Sequence, residues 1–400
     1  MQPTTSHDDT FEALWAELVE RITNMCMSTV SQRDDAWYAA RRKTIGGSEI
    51  HKLMGLPGKD TPYLLAVQKI RGSPEEMALN ADLRALLSAD RVPYGRPEDL
   101  LAAAYQTMYM HRMHTPMTNG LAKHWGTVFE DVINEYMRVM YGLRVHCENM
   151  FYNPPGPFSY SPDGVTILPA EDGSSRLVPT LLEYKCPFTR VPGATIPPEY
   201  VAQMNSGMDL LGLEQSFYSE AVFRLCPWSV LGASAECRLD LRSTMRYPAN
   251  PPLACGFVGV YGPLGIMSGV APGDNYGGDS ADLADMSVDE ITSVFCMIAA
   301  GAFKVWYSPV CLDVARSQES LEGARQKFLE YCSGGHQPVG VLPWKLFSVT
   351  SKIVKKQEGF LDAWRPQGER LLEIIDICMS KPFPLEYLSA MMSDVAEEFD

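Results

Sequence analysis

The chain has 400 residues, 46% hydrophobic and 21% charged, which excludes a disordered polymer on one side and a membrane bundle on the other. No apolar run approaches the roughly 18 residues of a membrane span. Met1–Glu20 lacks the basic and apolar regions of a secretion signal, so the chain reads as intracellular. Lys and Arg number 34 against 49 Asp and Glu, a net charge of −15; this counts against a passive nucleic-acid coat but not against an enzyme with a local basic cleft. The ten cysteines form no CxxC pair and no zinc-spaced cluster, and read as buried free thiols. His111 and His114 lack a third ligand and read as a surface or loop pair.

Apolar residues at helical spacing from Phe11 to Met25 predict an amphipathic helix running to about Val30. A basic run, Arg41-Arg42-Lys43, leads into Gly46-Gly47-Ser48-Glu49-Ile50, a loop that opens a short helix with Ser48 near its N-cap and Gly55 at its end. Residues 72–120, broken by prolines, read as a partly helical insertion. Trp125, Val128, Phe129, Val132, Ile133, Tyr136 and Met140 give a strong helix over about 122–140, stopped by Gly142. Short strands are expected over 144–152, 164–168 and 178–186, with a hairpin-type turn at 170–175, then a helix over 199–211 and a strand over 217–225. Pro272–Glu290, acidic and without Lys or Arg, reads as a solvated loop lacking EF-hand spacing. Helices are expected over 287–306, 317–332 and 368–379, with a helix-like, acidic C-terminus. The expected units are an N-terminal helix (1–34), a core (35–230) and a C-terminal extension (231–400), mostly helical after the acidic loop.

The stretch that carries chemistry is Ser161-Pro162-Asp163-Gly164 followed by Glu183-Tyr184-Lys185. Asp163 opens one strand. Glu183 and Lys185, two apart on the next, share a face. Two carboxylates and one ammonium converging suit phosphodiester hydrolysis: carboxylates hold hard divalent cations, which lower the pKa of an attacking water, while lysine orients it or stabilises transition-state charge. The Tyr184 carbonyl could also reach a metal. Glu130, on the helix before the sheet, is a further acidic candidate. An isolated Glu-x-Lys pair is common on strand surfaces; the preceding Asp163 turn is what lifts this one.

The chain resembles the lambda-type (YqaJ-like) exonucleases of the PD-(D/E)xK nuclease superfamily, which includes the viral alkaline nucleases. The likeness runs in order over about residues 35–226: Trp37-x3-Arg41 with Ile45-Gly46-Gly47-Ser48-Glu49, Trp125-Gly126-x2-Phe129-Glu130, Ser161-Pro162-Asp163-Gly164, Glu183-Tyr184-Lys185-Cys186-Pro187-Phe188-Thr189, and Tyr200-Val201-Ala202-Gln203-Met204-Asn205. It implies an α/β, restriction-endonuclease-like core with a central mixed β-sheet flanked by helices. It implies Glu130, Asp163 and Glu183 as metal-site carboxylates, with Tyr184 through its carbonyl, and Lys185 and Gln203 as their catalytic companions. Asn205 stands where the family usually has a second glutamine. Arg41, Ser48, Ser161 and Arg190 fall where phage-type members hold the 5′-phosphate of a DNA end, chemistry that an arginine fork, hydroxyls and helix N-terminal amides suit. Arg190 is offset by one residue from the phage arginine.

The implied activity is Mg²⁺-dependent (two ions, with Mn²⁺ possible) 5′-to-3′ degradation of one strand of duplex DNA, serving viral or phage recombination beside a single-strand annealing partner. The long insertion and the extension favour a monomer over the ring-shaped trimer of phage enzymes; the insertion would carry cleft contacts through Arg84, Arg91, Arg96 and Arg112, a purely structural insertion being the alternative. An endonuclease or RNase of the same fold and a non-catalytic DNA-binding scaffold are the alternatives. Basic residues near the motifs (Arg41, Arg42, Lys43, Lys52, Lys123, Lys185, Arg190) predict a positive groove on an acidic body.

Overall fold

The computed structural model describes residues 6–25, 40–56, 62–71, 117–146, 154–189, 192–232, 236–237, 251–263, 282–299, 301–381, 384–385 and 387–388. In chain order its elements are α1 (Ser6–Met25), β1 (Ile45–Gly46), α2 (Ile50–Leu53), α3 (Pro62–Arg71), α4 (Met117–Tyr141), β2 (Phe158–Ser159), β3 (Gly164–Pro169), β4 (Leu177–Lys185), α5 (Pro198–Leu211), β5 (Gln215–Leu225), β6 (Ala254–Pro263), α6 (Val288–Ala299), β7 (Lys304–Tyr307), α7 (Ser317–Ser333), β8 (His336–Lys355) and α8 (Phe360–Met379). The expected insertion up to residue 116, with its arginines and the His111–His114 pair, lies outside the described residues. So do Arg190, most of the acidic loop and the tail beyond residue 388.

Six strands form one mixed sheet in the order β3-β4-β5-β8-β6-β7. The β3–β4 pair is antiparallel, and β4 and β5 run parallel, joined by α5 as the crossover that parallel neighbours require. The remaining pairs are antiparallel. On one face, Leu182, Tyr184 and Cys186 of the β4 segment pack with Trp125, Phe129 and Ile133 of α4 and with Phe295 of α6. Phe129 sits between Trp125 and Phe223, with ring centroids 4.5 and 4.6 Å away. On the other face, Leu181, Val165 and Ile167 pack with Met204 and Met208 of α5 and with Trp15, Leu18 and Ile22 of α1. A third cluster joins α2, α3 and α8. A central mixed sheet flanked by helices on both faces is the α/β architecture expected.

The extension departs from expectation. Among the described residues of 231–400, helices α6, α7 and α8 are joined by strands β6, β7 and β8, which supply half of the sheet, and β8 pairs along the whole of β5. The core therefore does not end at residue 230. The helix expected over 287–306 stops at Ala299, because Gly301 turns left-handed (φ +74°) and Val305-Trp306-Tyr307 continue as β7. The helix expected from residue 368 begins at Phe360 and runs through Pro366. Of the strand expected over 144–152, only a His146–Val165 bridge falls among the described residues. Asp282, read as part of a solvated loop, instead accepts the Trp228 and Ala284 amides at 2.5 and 3.0 Å.

Candidate active site

Alternation along β4 sends Tyr184 into the core under α4 and turns Glu183 and Lys185 toward α5. Glu183 is fully buried. Its Oε1 accepts from the Lys185 ammonium and, at 2.7 Å, from Gln203 Nε2 of α5; its Oε2 accepts from the Tyr160 hydroxyl at 2.7 Å. A carboxylate is tolerated at such depth only with charge-assisted partners of this kind. Lys185 also stands 5.1 Å from the Tyr200 ring centroid.

The Gly164–Leu182 pairing brings Asp163 beside the end of β4, where its Oδ2 accepts the Tyr184 amide at 2.6 Å. Burial, then the charges of Glu183 and Glu130, push the Asp163 carboxyl well above the usual range, and Lys185 and the Tyr184 amide oppose this. Burial alone would lower Lys185, but Glu183, Asp163 and Glu130 outweigh it and hold the ammonium above its ordinary value. Four expected residues, Asp163, Glu183, Lys185 and Gln203, therefore meet at one spot.

Glu130 does not complete a common cage. It comes from α4, in the opposite helical layer, and acts on Asp163 and Lys185 through its charge. Among the described residues no three His, Cys, Asp or Glu side chains approach closely enough to hold one ion together. The donor set nevertheless fits a hard divalent cation. It offers buried oxygens of like charge, and their mutual repulsion is what a bound cation relieves.

The second constellation is built on the parallel β1–β2 ladder, Ile45 opposite Phe158 and Gly46 opposite Ser159. Ser48 and Ser161 each lie two residues beyond it. Thr44 Oγ1 donates to Ser159 Oγ at 2.7 Å. Arg41 Nη2 donates to Ser48 Oγ at 3.1 Å and lies across Gly46, where an added Cβ would stand 2.8 Å from it. Glu49 Oε2 accepts the Gly46 amide at 2.8 Å and the buried Lys69 ammonium at 2.6 Å, and Lys69 also donates to the Arg41 carbonyl at 2.8 Å. Neither Glu49 nor Lys69 stood out as a site residue in the sequence. Asn205 turns away from the site: its amide nitrogen donates to the Val201 carbonyl and its oxygen accepts the Gln357 amide at 2.7 Å.

Burial raises the Glu49 carboxyl, but Lys69 and Arg41 more than offset it and hold it below its ordinary value of 4.5. A depressed carboxyl contributes stability present above its unfolded value and lost as pH falls through the folded one. Glu49→Gln should therefore be less stable than wild type at neutral pH, with the gap closing once the pH drops below about 4.5. Urea denaturation of both proteins across that range checks this.

Tyr160 is the other residue that sequence reasoning passed over. It precedes the Ser161-Pro162-Asp163 turn and is 2% exposed. A Cβ on Gly47 would overlap its ring, and one on Gly207 of α5 would stand 2.5 Å from its Cζ. Burial, then the Glu183 charge, push its phenol well up, so it remains a donor. The available signal was the glycine at position 207, inside a helix where glycine is costly.

Residues 36–213 match the family described as the YqaJ-like viral recombinase domain. A protein of African swine fever virus (strain Badajoz 1971 Vero-adapted) is 23% identical over 262 residues, covering 60% of this chain and 63% of the relative. Its counterpart from the Tick/Malawi isolate of the same virus gives the same figures. The chain thus spans under two thirds of the length of these curated relatives. Among solved structures, the alkaline exonuclease LHK-Exo from Laribacter hongkongensis is 16% identical, covers 47% of this chain and 74% of that one, and has a TM-score of 0.27. Its complex with dAMP is 18% identical, covers 47% and 73%, and has a TM-score of 0.26.

Proposed function

From a chain whose residues 36–213 match the YqaJ-like viral recombinase domain, we propose a 5′-to-3′ exodeoxyribonuclease that removes one strand of linear duplex DNA. One observation carries this reading: at the end of β4, Glu183 accepts from Lys185 and Gln203 while Asp163 accepts the intervening Tyr184 amide. Asp163 and Glu183, with the Tyr184 carbonyl, would hold Mg²⁺ (two ions, Mn²⁺ substituting), with Glu130 adding its charge from α4. When bound, such a cation supplies a water of lowered pKa and neutralises charge at the leaving oxygen.

Lys185 presents a fixed positive charge where the phosphate oxygens gain negative charge. Gln203 and Tyr160 keep Glu183 in one orientation. Water adds to phosphorus and the bond to the 3′ oxygen breaks. The released mononucleotide takes the proton on that oxygen, and the strand left behind carries a new 5′-phosphate. Arg41, Ser48 and Ser161, with Arg190, would hold that phosphate, so each cut regenerates the group the next cycle reads. We assign the activity to viral DNA processing and recombination by a monomer working beside a single-strand annealing protein.

The test is purified protein with Mg²⁺ on 5′-phosphorylated linear duplex, closed circular plasmid and RNA. Mononucleotides should appear from the linear duplex alone, and Asp163→Ala should release none. An intact linear duplex, or an Asp163→Ala variant as active as wild type, would remove the reading. Cutting of the circle or the RNA would reassign the substrate.

A further inference from the structure

Tyr160 sits between Glu183, the Gly47-Ser48 turn and α5. Its hydroxyl donates to Glu183 Oε2 at 2.7 Å. Its ring fills the space left by two absent side chains, Gly47 in the turn that carries Ser48 and Gly207 on the helix that carries Gln203. Its backbone joins Ser159, which accepts from Thr44, to Ser161. A close-packed ring at this depth has no free direction. If the Gly47-Ser48 turn shifts, the ring must shift, and the hydroxyl with it.

On this geometry, and resting on the nuclease reading above, we infer that Tyr160 is a positioning residue linking the loop that holds the DNA 5′ end to Glu183. The state of the end-holding loop then sets the orientation of the buried carboxylate. A terminal phosphate between Arg41, Ser48 and Ser161 settles the turn, fixes the ring and prepares Glu183 for the ion. An end lacking phosphate leaves the turn, and so the carboxylate, less well placed. Linkage makes the effect reciprocal: terminal phosphate and divalent ion each raise the other's affinity by the same factor.

Two measurements on the full chain test this. By calorimetry, Ca²⁺ should bind wild type several-fold more tightly with a 5′-phosphorylated duplex than with a 5′-hydroxyl duplex, and Tyr160→Phe should abolish that difference. In steady-state kinetics with Mg²⁺, Tyr160→Phe should keep the wild-type KM for phosphorylated duplex while kcat falls about tenfold or more, the scale of one charge-assisted hydrogen bond. Its kcat ratio between phosphorylated and hydroxyl ends should fall toward one. Equal Ca²⁺ affinity of wild type on both duplexes overturns the inference even if Tyr160→Phe fails to fold. An unchanged kcat in a folded Tyr160→Phe overturns it while leaving the nuclease reading intact. Wild type that neither binds divalent ion nor cuts DNA overturns both.

Discussion

Gly207→Ala should destabilise the protein by about 1–3 kcal/mol, the cost of overpacking a filled interior. The sign is what makes the measurement decisive. Alanine in place of glycine inside a helix ordinarily stabilises by about 1 kcal/mol, and Gly207 lies within α5 with helical neighbours on both sides. Here the new methyl would stand 2.5, 2.7 and 2.8 Å from Cζ, Cε1 and Cε2 of Tyr160. The ring cannot simply rotate away, because its hydroxyl is committed to Glu183 and its other contacts are with the Gly47 turn. Gly323, on α7, is the control: nothing lies within 4 Å of its added Cβ, so Gly323→Ala should stabilise as an ordinary helical position does. Urea denaturation of both variants should give opposite signs. A stabilised Gly207→Ala would show that Tyr160 is loosely held.

The contrast explains which parts of the molecule were legible in the sequence. Glu183 and Lys185 were, because a two-residue spacing on a strand fixes a shared face without knowledge of any other element. Asp163 was, because its turn directly precedes a strand. Tyr160 was not: its role depends on Gly47, 113 positions earlier, and Gly207, 47 positions later, and neither spacing is local. Glu130 was found as a charge near the site, but its helix packs on the opposite layer, and a layer assignment is not written in a motif.

The sheet's second half was hidden for another reason. In β6, Gly256 and Gly259 are poor strand formers, yet each is required by a close neighbour: a Cβ at Gly256 would come 2.5 Å from Trp344, and one at Gly259 2.7 Å from Phe328. In β8, Pro338 and Pro343 argue against a central strand. Lys345 argues against burial, yet its ammonium is completely enclosed and satisfied by the Val230 and Glu236 carbonyls at 2.6 and 2.9 Å. Tertiary packing overrode each local preference.

Lys185→Met should lower cleavage of phosphorylated duplex by about 10²- to 10³-fold, the range for removing one preorganised group from a developing charge. It should also cost stability, because Glu183 and Asp163 then face each other with their counter-charge gone. Breaking a buried pair costs about 3–5 kcal/mol, and the partial exposure of the Lys185 side chain, 19%, puts the expected loss at the lower end. The two effects separate in the double variant. Glu183→Gln with Lys185→Met removes both charges, leaves Gln203 and Tyr160 polar partners at position 183, and should recover most of the lost stability. Activity should stay at the level of the single variants, because the neutral pair neither binds a cation nor stabilises charge. Denaturation and duplex digestion on the wild type, two single variants and the double close the cycle. Recovery of stability in the double variant, beside a folded Lys185→Met that loses activity, identifies Lys185 as part of the chemistry. If Lys185→Met digests duplex at the wild-type rate, its contact with Glu183 is an ordinary salt bridge on a strand.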